Sequence, residues 1–199
     1  MKGNAVTITS NAILDAINNR RSVGKVTEEI PPTEHIQTML EAAITAPNHH
    51  HTEPWRFFVL TGDARLGLGD ALVEDRLSGE EDPSSIPEAV IEKTRQKPLR
   101  APVVIGVAVQ PQQRAKVWEV EEVCSTAAAI QNMLLAAHSL GLATMWRTGD
   151  PCYSEPVKQF FGLGEEDTLL GMIYVGYPAS EPAARNRTPV DQVTTWWDS

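Results

Sequence analysis

Residues 102–109, PVVIGVAV, place the tightest constraint on the fold. Seven apolar residues follow a proline without the polar alternation of a half-exposed strand, so the run reads as a strand covered on both faces. A strand of that kind belongs in the middle of a layered structure. With 199 residues, 42% of them hydrophobic, the chain can enclose one sizeable core but not two independent ones. The expected organisation is one domain over 1–199. Residues 1–10 form an N-terminal extension, 78–86 a mobile loop, and 180–199 a C-terminal arm.

The remaining pattern alternates helices and strands irregularly. A helix is expected over 11–19, where Ser10 or Asn11 can cap and Ala12, Ile13, Ala16 and Ile17 share a side. A second starts with Thr33 as N-cap, carries Ile36, Met39, Leu40 and Ala43 on its buried stripe, and ends at Ala46-Pro47. RFFVL then reads as a strand, 63–77 as a helix, SGEEDPSS as an acidic loop, and 87–97 as a short helix. The longest helix runs over 119–139, with Val123, Ala127, Ile130, Leu134 and Ala137 at helical spacing and Gly141 as its stop. ATMW, a short helix capped by Ser154, and LLGMIYVGY complete the order. There is no internal repeat and no strict βαβ alternation, which favours an α+β layered domain over a doubly wound sheet. The tail EPAARNRTPVDQVTTWWDS ends in two tryptophans, an apolar area that calls for a packing partner.

Seventeen Lys and Arg against 26 Asp and Glu give a formal charge of −9. No general nucleic-acid surface is expected from that balance, since phosphate backbones are held by clustered cations. No segment approaches the apolar length of a membrane span and the N-terminus lacks a signal-like core, so a soluble, cytoplasmic protein is expected. Cys124 and Cys152 form no CxxC and signal neither a disulfide framework nor zinc.

Three clusters carry chemistry. His49, His50 and His51 are adjacent, so their side chains diverge and cannot readily share one tetrahedral ion; no HExxH supports them, and no metal site is expected. Arg20-Arg21-Ser22 offers two guanidinium forks and a hydroxyl suited to a phosphate, or simply complements the end of the first helix. Trp146-Arg147-Thr148 sits at the end of an apolar strand, where ligands are often held or where an ordinary salt bridge forms. Arg185 and Arg187, two apart, would point the same way on an extended chain, or be merely solvated. No GxSxG, Walker or GxGxxG motif is present, so a nucleotide cofactor would bind without a dinucleotide-binding domain.

Taken together, the early RRS, then AP.H....PWRFFV, GLATMWRTG, LLGMIYVGYP and a terminal R.R.P resemble the FMN-dependent nitroreductase family in its short NAD(P)H form, from about Asn11 to Asp198. The resemblance implies an α+β sandwich with a central mixed, mainly antiparallel sheet, working as an intertwined homodimer whose C-terminal arm packs on the partner subunit. It implies FMN at the subunit interface, NADH or NADPH as co-substrate, and ping-pong reduction of a small acceptor such as a nitroaromatic or quinone. By position, Arg20, Arg21 and Ser22 match the segment gripping the flavin's ribityl chain and phosphate. Thr45 and His49 match positions reaching the flavin from the partner subunit. Trp146, Arg147 and Thr148 match a cofactor-contacting strand end, with Arg147 at the edge where negative charge grows on reduction. Arg185 and Arg187 match a basic pair on the phosphate.

His50 and His51 fall where relatives vary. Glu53 replaces a glutamine that many relatives place before Pro-Trp, and is expected to face solvent. No side chain is expected to act as general acid, because solvent can protonate the product. The competing readings are a non-redox protein binding FMN or another anion, and a flavin-consuming or dehalogenating enzyme on the same fold.

Overall fold

The computed structural model describes residues 11–112, 114–182 and 186–198; the expected N-terminal extension and Arg185 lie outside the described residues. Helix α1 spans Ala12–Asn19, α2 Thr33–Ala43, α3 Ala64–Ser78, α4 Glu88–Arg95, α5 Glu119–Ser139 and α6 Glu155–Phe160. Strands β1 (Trp55–Leu60), β2 (Val103–Val109), β3 (Ala143–Arg147) and β4 (Thr168–Gly176) form one sheet of order β1-β2-β4-β3. All three strand pairings are antiparallel, and a parallel bridge from Ser22 to Thr144 makes the sheet mixed at its β3 margin.

The apolar run at 103–109 occupies the position its composition demands. All seven β2 residues are buried between β1 and β4 and between two helical layers. Because strand side chains alternate, Val103, Ile105 and Val107 join Ile173 and Val175 against α2 and α5. Val104 and Ala108 face the other way, with Met172, Tyr174, Leu68, Val157 and Phe161 of the layer built by α3 and α6. Gly106 lies on that second face, where an added Cβ would sit 2.6 Å from the Phe161 ring. Its missing side chain lets Phe161 reach the sheet and pack at a tilt against Phe58, with ring centroids 5.1 Å apart.

Element ends follow local chemistry. The Asn11 side chain accepts the Leu14 N–H at 2.9 Å and caps α1; Ser154 caps α6 through the Val157 N–H. Pro32, not Thr33, is the N-cap of α2, and Thr33 is the first helical residue. The preceding prolines hold the chain extended up to that point, so the helix needs no hydroxyl cap. In the acidic 78–86 segment, Asp82 caps a short 3-10 turn at Pro83–Ser85 by accepting from the Ser84 N–H and hydroxyl.

The buried stripe of α5 is rotated from the one its apolar spacing suggests. Val123 and Ala127 are half-buried, whereas Glu122, Ser125 and Thr126 are enclosed with Ala129, Ile130, Met133, Leu134 and Ala137. Polar side chains go inside here because one end of the helix anchors loops: Glu122 accepts the Gln112 N–H at 2.6 Å, and Ser125 accepts from Asn48 at 3.2 Å.

The two cysteines should differ sharply in reactivity. Cys124 is exposed, while Cys152 is buried in the turn after β3 and burial pushes its thiol up to about 11. At pH 8 iodoacetamide is therefore expected to modify Cys124 first and Cys152 only on unfolding, read by peptide mass. The raised folded value also fixes a sign: this thiol's contribution to stability is intact below the ordinary thiol range and is lost as pH climbs through about 11.

Candidate functional site

The segment after α1 is laid along the sheet margin. The Val23 N–H donates to Thr144 O at 2.9 Å, fixing residues 20–24 beside β3. This brings Arg20, Arg21, Ser22 and Gly24 together with Lys25, Ser180, Glu181 and Arg187 around a cavity of about 450 Å³. The cavity is cationic. Among the described residues no carboxylate lies within ion-pair distance of Arg20, Arg21 or Arg187. Burial lowers the Arg20 pKa, and the neighbouring charges of Arg187 and Arg21 lower it further. Arg21 is anchored differently: its Nη1 donates to Asn18 O at 2.6 Å and Arg20 O at 2.9 Å, closing the end of α1.

A second cavity, of about 360 Å³, opens on the α3/α6 side of the same sheet margin. Met145, Trp146, Arg147 and Thr148 form one wall, Met172 and Tyr174 of β4 the floor, and Leu72, Lys97 and Arg100 the opposite side. The Arg147 guanidinium lies over the Tyr174 ring at 5.1 Å from its centroid, and its Nε is buried with no hydrogen-bond partner. Tyr174 stays protonated well past neutrality: burial raises its pKa, and Arg147 and Arg100 only partly offset this. Gly24 connects the two cavities, since a Cβ there would meet Met145 Cε at 3.2 Å and Arg147 Nη2 at 3.9 Å.

Trp146 is oriented by an irregularity in β4. The β2–β4 register slips between Val107 and Ala108, so Leu170 has no partner on β2, and Gly171 adopts φ +152°. The Leu170 carbonyl then accepts the Trp146 Nε1–H at 3.2 Å.

Thr45 and His49 stand apart from both cavities in the single chain. Thr45 lies at the end of α2, donates its hydroxyl to Ala42 O at 2.8 Å, and lines an open apolar groove of about 610 Å³ with Ala12, Ile13, Leu135 and Ala136. Ile13 and Ile17 of α1 are 71% and 50% exposed, so the expected apolar side of α1 stays largely uncovered by the described residues of one chain. His49 Nδ1 pairs with Glu121 Oε2 at 2.8 Å and its ring stacks on His50. The Asn48 side chain holds this turn by accepting the Glu53 N–H at 2.8 Å, while His50, His51 and Glu53 all have left-handed φ. Glu53 is exposed, and His50 bonds Lys116 O. Among the described residues no group of three His, Cys, Asp or Glu is arranged to hold a metal, and no helix is long and apolar enough to cross a membrane.

Sequence reasoning singled out Arg20, Arg21, Ser22 and Arg187, and the fold collects them. It singled out Trp146, Arg147 and Thr148, and the fold sets them around the second cavity. It missed Lys25 and Gly24 in the link, Tyr174 beneath Arg147, and Lys97 and Arg100 on the opposite side. The one hint was QKPLR, with two cations around a proline, which also suits an ordinary helix end.

Comparison with known proteins matches residues 17–177 to the model of the nitroreductase family. YdjA of Escherichia coli K12, which carries an NAD(P)H nitroreductase name, is 31% identical over 88% of this chain and 93% of its own length. A nitroreductase-like family protein from Bacillus cereus superposes with a TM-score of 0.82 at 26% identity, covering 96% of this chain and 98% of that one. A Desulfovibrio desulfuricans structure described as a nitroreductase in complex with FMN gives a TM-score of 0.75 at 26% identity, covering 96% and 99%.

Proposed function

Since this chain belongs to the nitroreductase family, we propose that it is a cytoplasmic, homodimeric oxidoreductase that binds FMN and carries electrons from NADH or NADPH to a small acceptor by a ping-pong mechanism. The observation that carries the reading is the set of Arg20, Arg21 and Arg187, without a carboxylate partner among the described residues, joined through Gly24 to Arg147, whose Nε is buried and unpartnered. Like charges gathered at the cost of desolvation need an anion to settle them, and a phosphate supplies it. Arg147 completes the fit as a cation at the far end of a path that begins at a phosphate site.

When bound, FMN supplies the redox chemistry, accepting a hydride from the nicotinamide and passing two electrons on. The chain's own residues position and balance charge. Arg20, Arg21, Ser22 and Arg187 hold the phosphate and ribityl end. Trp146, Arg147 and Thr148 meet the ring end. The Arg147 guanidinium favours the negative charge that accumulates on reduction, a contribution of about 3 kcal/mol for a preorganised donor. Thr45 and His49 lie outside both cavities of their own chain, which supports their serving the partner subunit's site. The exposed face of α1 with its groove, and Trp196 and Trp197 at 86% and 92% exposure, supply the apolar area for such a dimer and for an arm that packs on the partner.

The purified protein is expected to be yellow, with about one FMN per chain, and to bleach on anaerobic addition of NADH or NADPH. A colourless protein that takes up no added FMN contradicts the reading. One that binds FMN yet is reduced by neither nucleotide points instead to a non-redox binding protein. Comparing the bleaching rates with the two nucleotides settles the donor.

A further inference from the structure

The second cavity holds more positive charge than a flavin ring requires. Lys97 and Arg100 come from the 3-10 turn between α4 and β2, two strands away from β3 across the floor formed by Met172 and Tyr174. A ring meeting Trp146, Arg147 and Thr148 would engage the β3 wall and leave the opposite wall uncovered. Among the described residues neither Lys97 nor Arg100 has an ion pair, and no carboxylate lines this cavity. Arg100 also borders a neighbouring cavity that Glu28 lines, but the two do not pair. In a chain of net charge −9, three cations around one hollow are a local reversal of sign. The rest of the lining is Leu72, Met145, Met172, Pro151 and aromatic surface. Apolar side chains interleaved with convergent polar groups accept a flat ring, and the cations at one end ask for an anionic substituent on it.

We propose that Lys97 and Arg100 select the electron acceptor, favouring small aromatic compounds that bear a carboxylate. The proposal rests on the flavin reading above and adds a substrate class to it. For a nitroaromatic carboxylate the balance is complete. The nitro group gains two electrons and two protons, one N–O bond breaks and water leaves; NADH is oxidised to NAD⁺ and supplies the electron pair with one proton, and solvent supplies the other. The carboxylate stays unreacted between Lys97 and Arg100 and orients the ring.

Benzoate and benzamide, alike in shape but differing in charge, separate recognition from turnover. Calorimetric titration of the FMN-loaded protein is expected to show benzoate binding about tenfold tighter than benzamide. In Lys97→Ala/Arg100→Ala that preference is expected to vanish. The ratio of kcat/KM for 4-nitrobenzoate over 4-nitrobenzamide is expected to fall about tenfold in the same variant. Arg100→Glu, at an exposed position that tolerates change, gives a second reading, with benzoate expected to bind more weakly than benzamide.

Three results overturn the assignment: equal discrimination in wild type and variants, loss of FMN from the double variant, or a rise in the nucleotide's KM with the benzoate preference intact. The second would give the cations to the cofactor and the third to the nucleotide. A wild-type protein that holds no FMN defeats the underlying reading instead. A yellow, NADH-bleached protein that binds both probes equally defeats this inference alone.

Discussion

Arg20→Ala is expected to loosen FMN by roughly 10- to 100-fold, or about 1.5–3 kcal/mol, the usual cost of removing a charged hydrogen-bond donor from an anion. The same substitution is expected to leave the FMN-free protein as stable as wild type, or slightly more so. The reason for the opposite signs is local. The Arg20 side chain makes no described hydrogen bond, sits half-buried, and is crowded by Arg187 and Arg21, so the FMN-free protein gains nothing from it. Arg21→Ala separates the two roles, because it also removes the bonds to Asn18 O and Arg20 O that close α1. FMN release followed by fluorescence, together with thermal melts of stripped protein, provides both quantities. An Arg20→Ala protein that retains FMN at wild-type affinity removes the phosphate assignment.

Gly171→Ala is the substitution expected to damage the fold most. At φ +152° a side chain is strained whatever the space around it, and here there is none. The new Cβ would strike the Trp146 indole and lie 2.7 Å from Arg147 O, which is backbone and cannot swing aside. Opening the β3–β4 pairing to admit it is expected to cost about 3 kcal/mol or more. For a chain of this size the melting temperature should then fall by about 10 °C. Because the clash falls on Trp146 and Arg147, FMN affinity should decline with it. A variant that melts within a degree of wild type would mean that the β4 irregularity is not as tightly determined as its contacts indicate.

The fold was readable wherever burial and hydrophobicity agree. Val103–Val109 declared a strand enclosed on both faces, and the structure places it between two layers. Ile36, Met39 and Ala43 likewise declared the inner face of α2. Reading weakened where polar groups are buried: Glu122, Ser125 and Thr126 turn α5 away from its apolar stripe, and Glu122 and Ser125 hold loops distant in sequence. The β4 irregularity at Leu170–Gly171 left no trace in composition, since a single glycine in an apolar strand has many explanations. The candidate site divides similarly. Arg20, Arg21 and Arg187 could be named as cations, but their convergence depends on a loop laid beside β3 and on a distant tail. Lys97 and Arg100 were passed over because cations at a helix end have an ordinary explanation, and only the fold brings them to the same cavity as Arg147.

The single backbone bond from Val23 to Thr144 carries a further meaning. It stitches the cation-bearing strip to the outermost strand, whose other margin is the only one engaged by β4. Whatever occupies the pocket therefore acts as ballast for that border, and by thermodynamic reciprocity a frayed border surrenders its cargo. Prosthetic-group retention and the coherence of the sheet's rim are two readings of the same equilibrium.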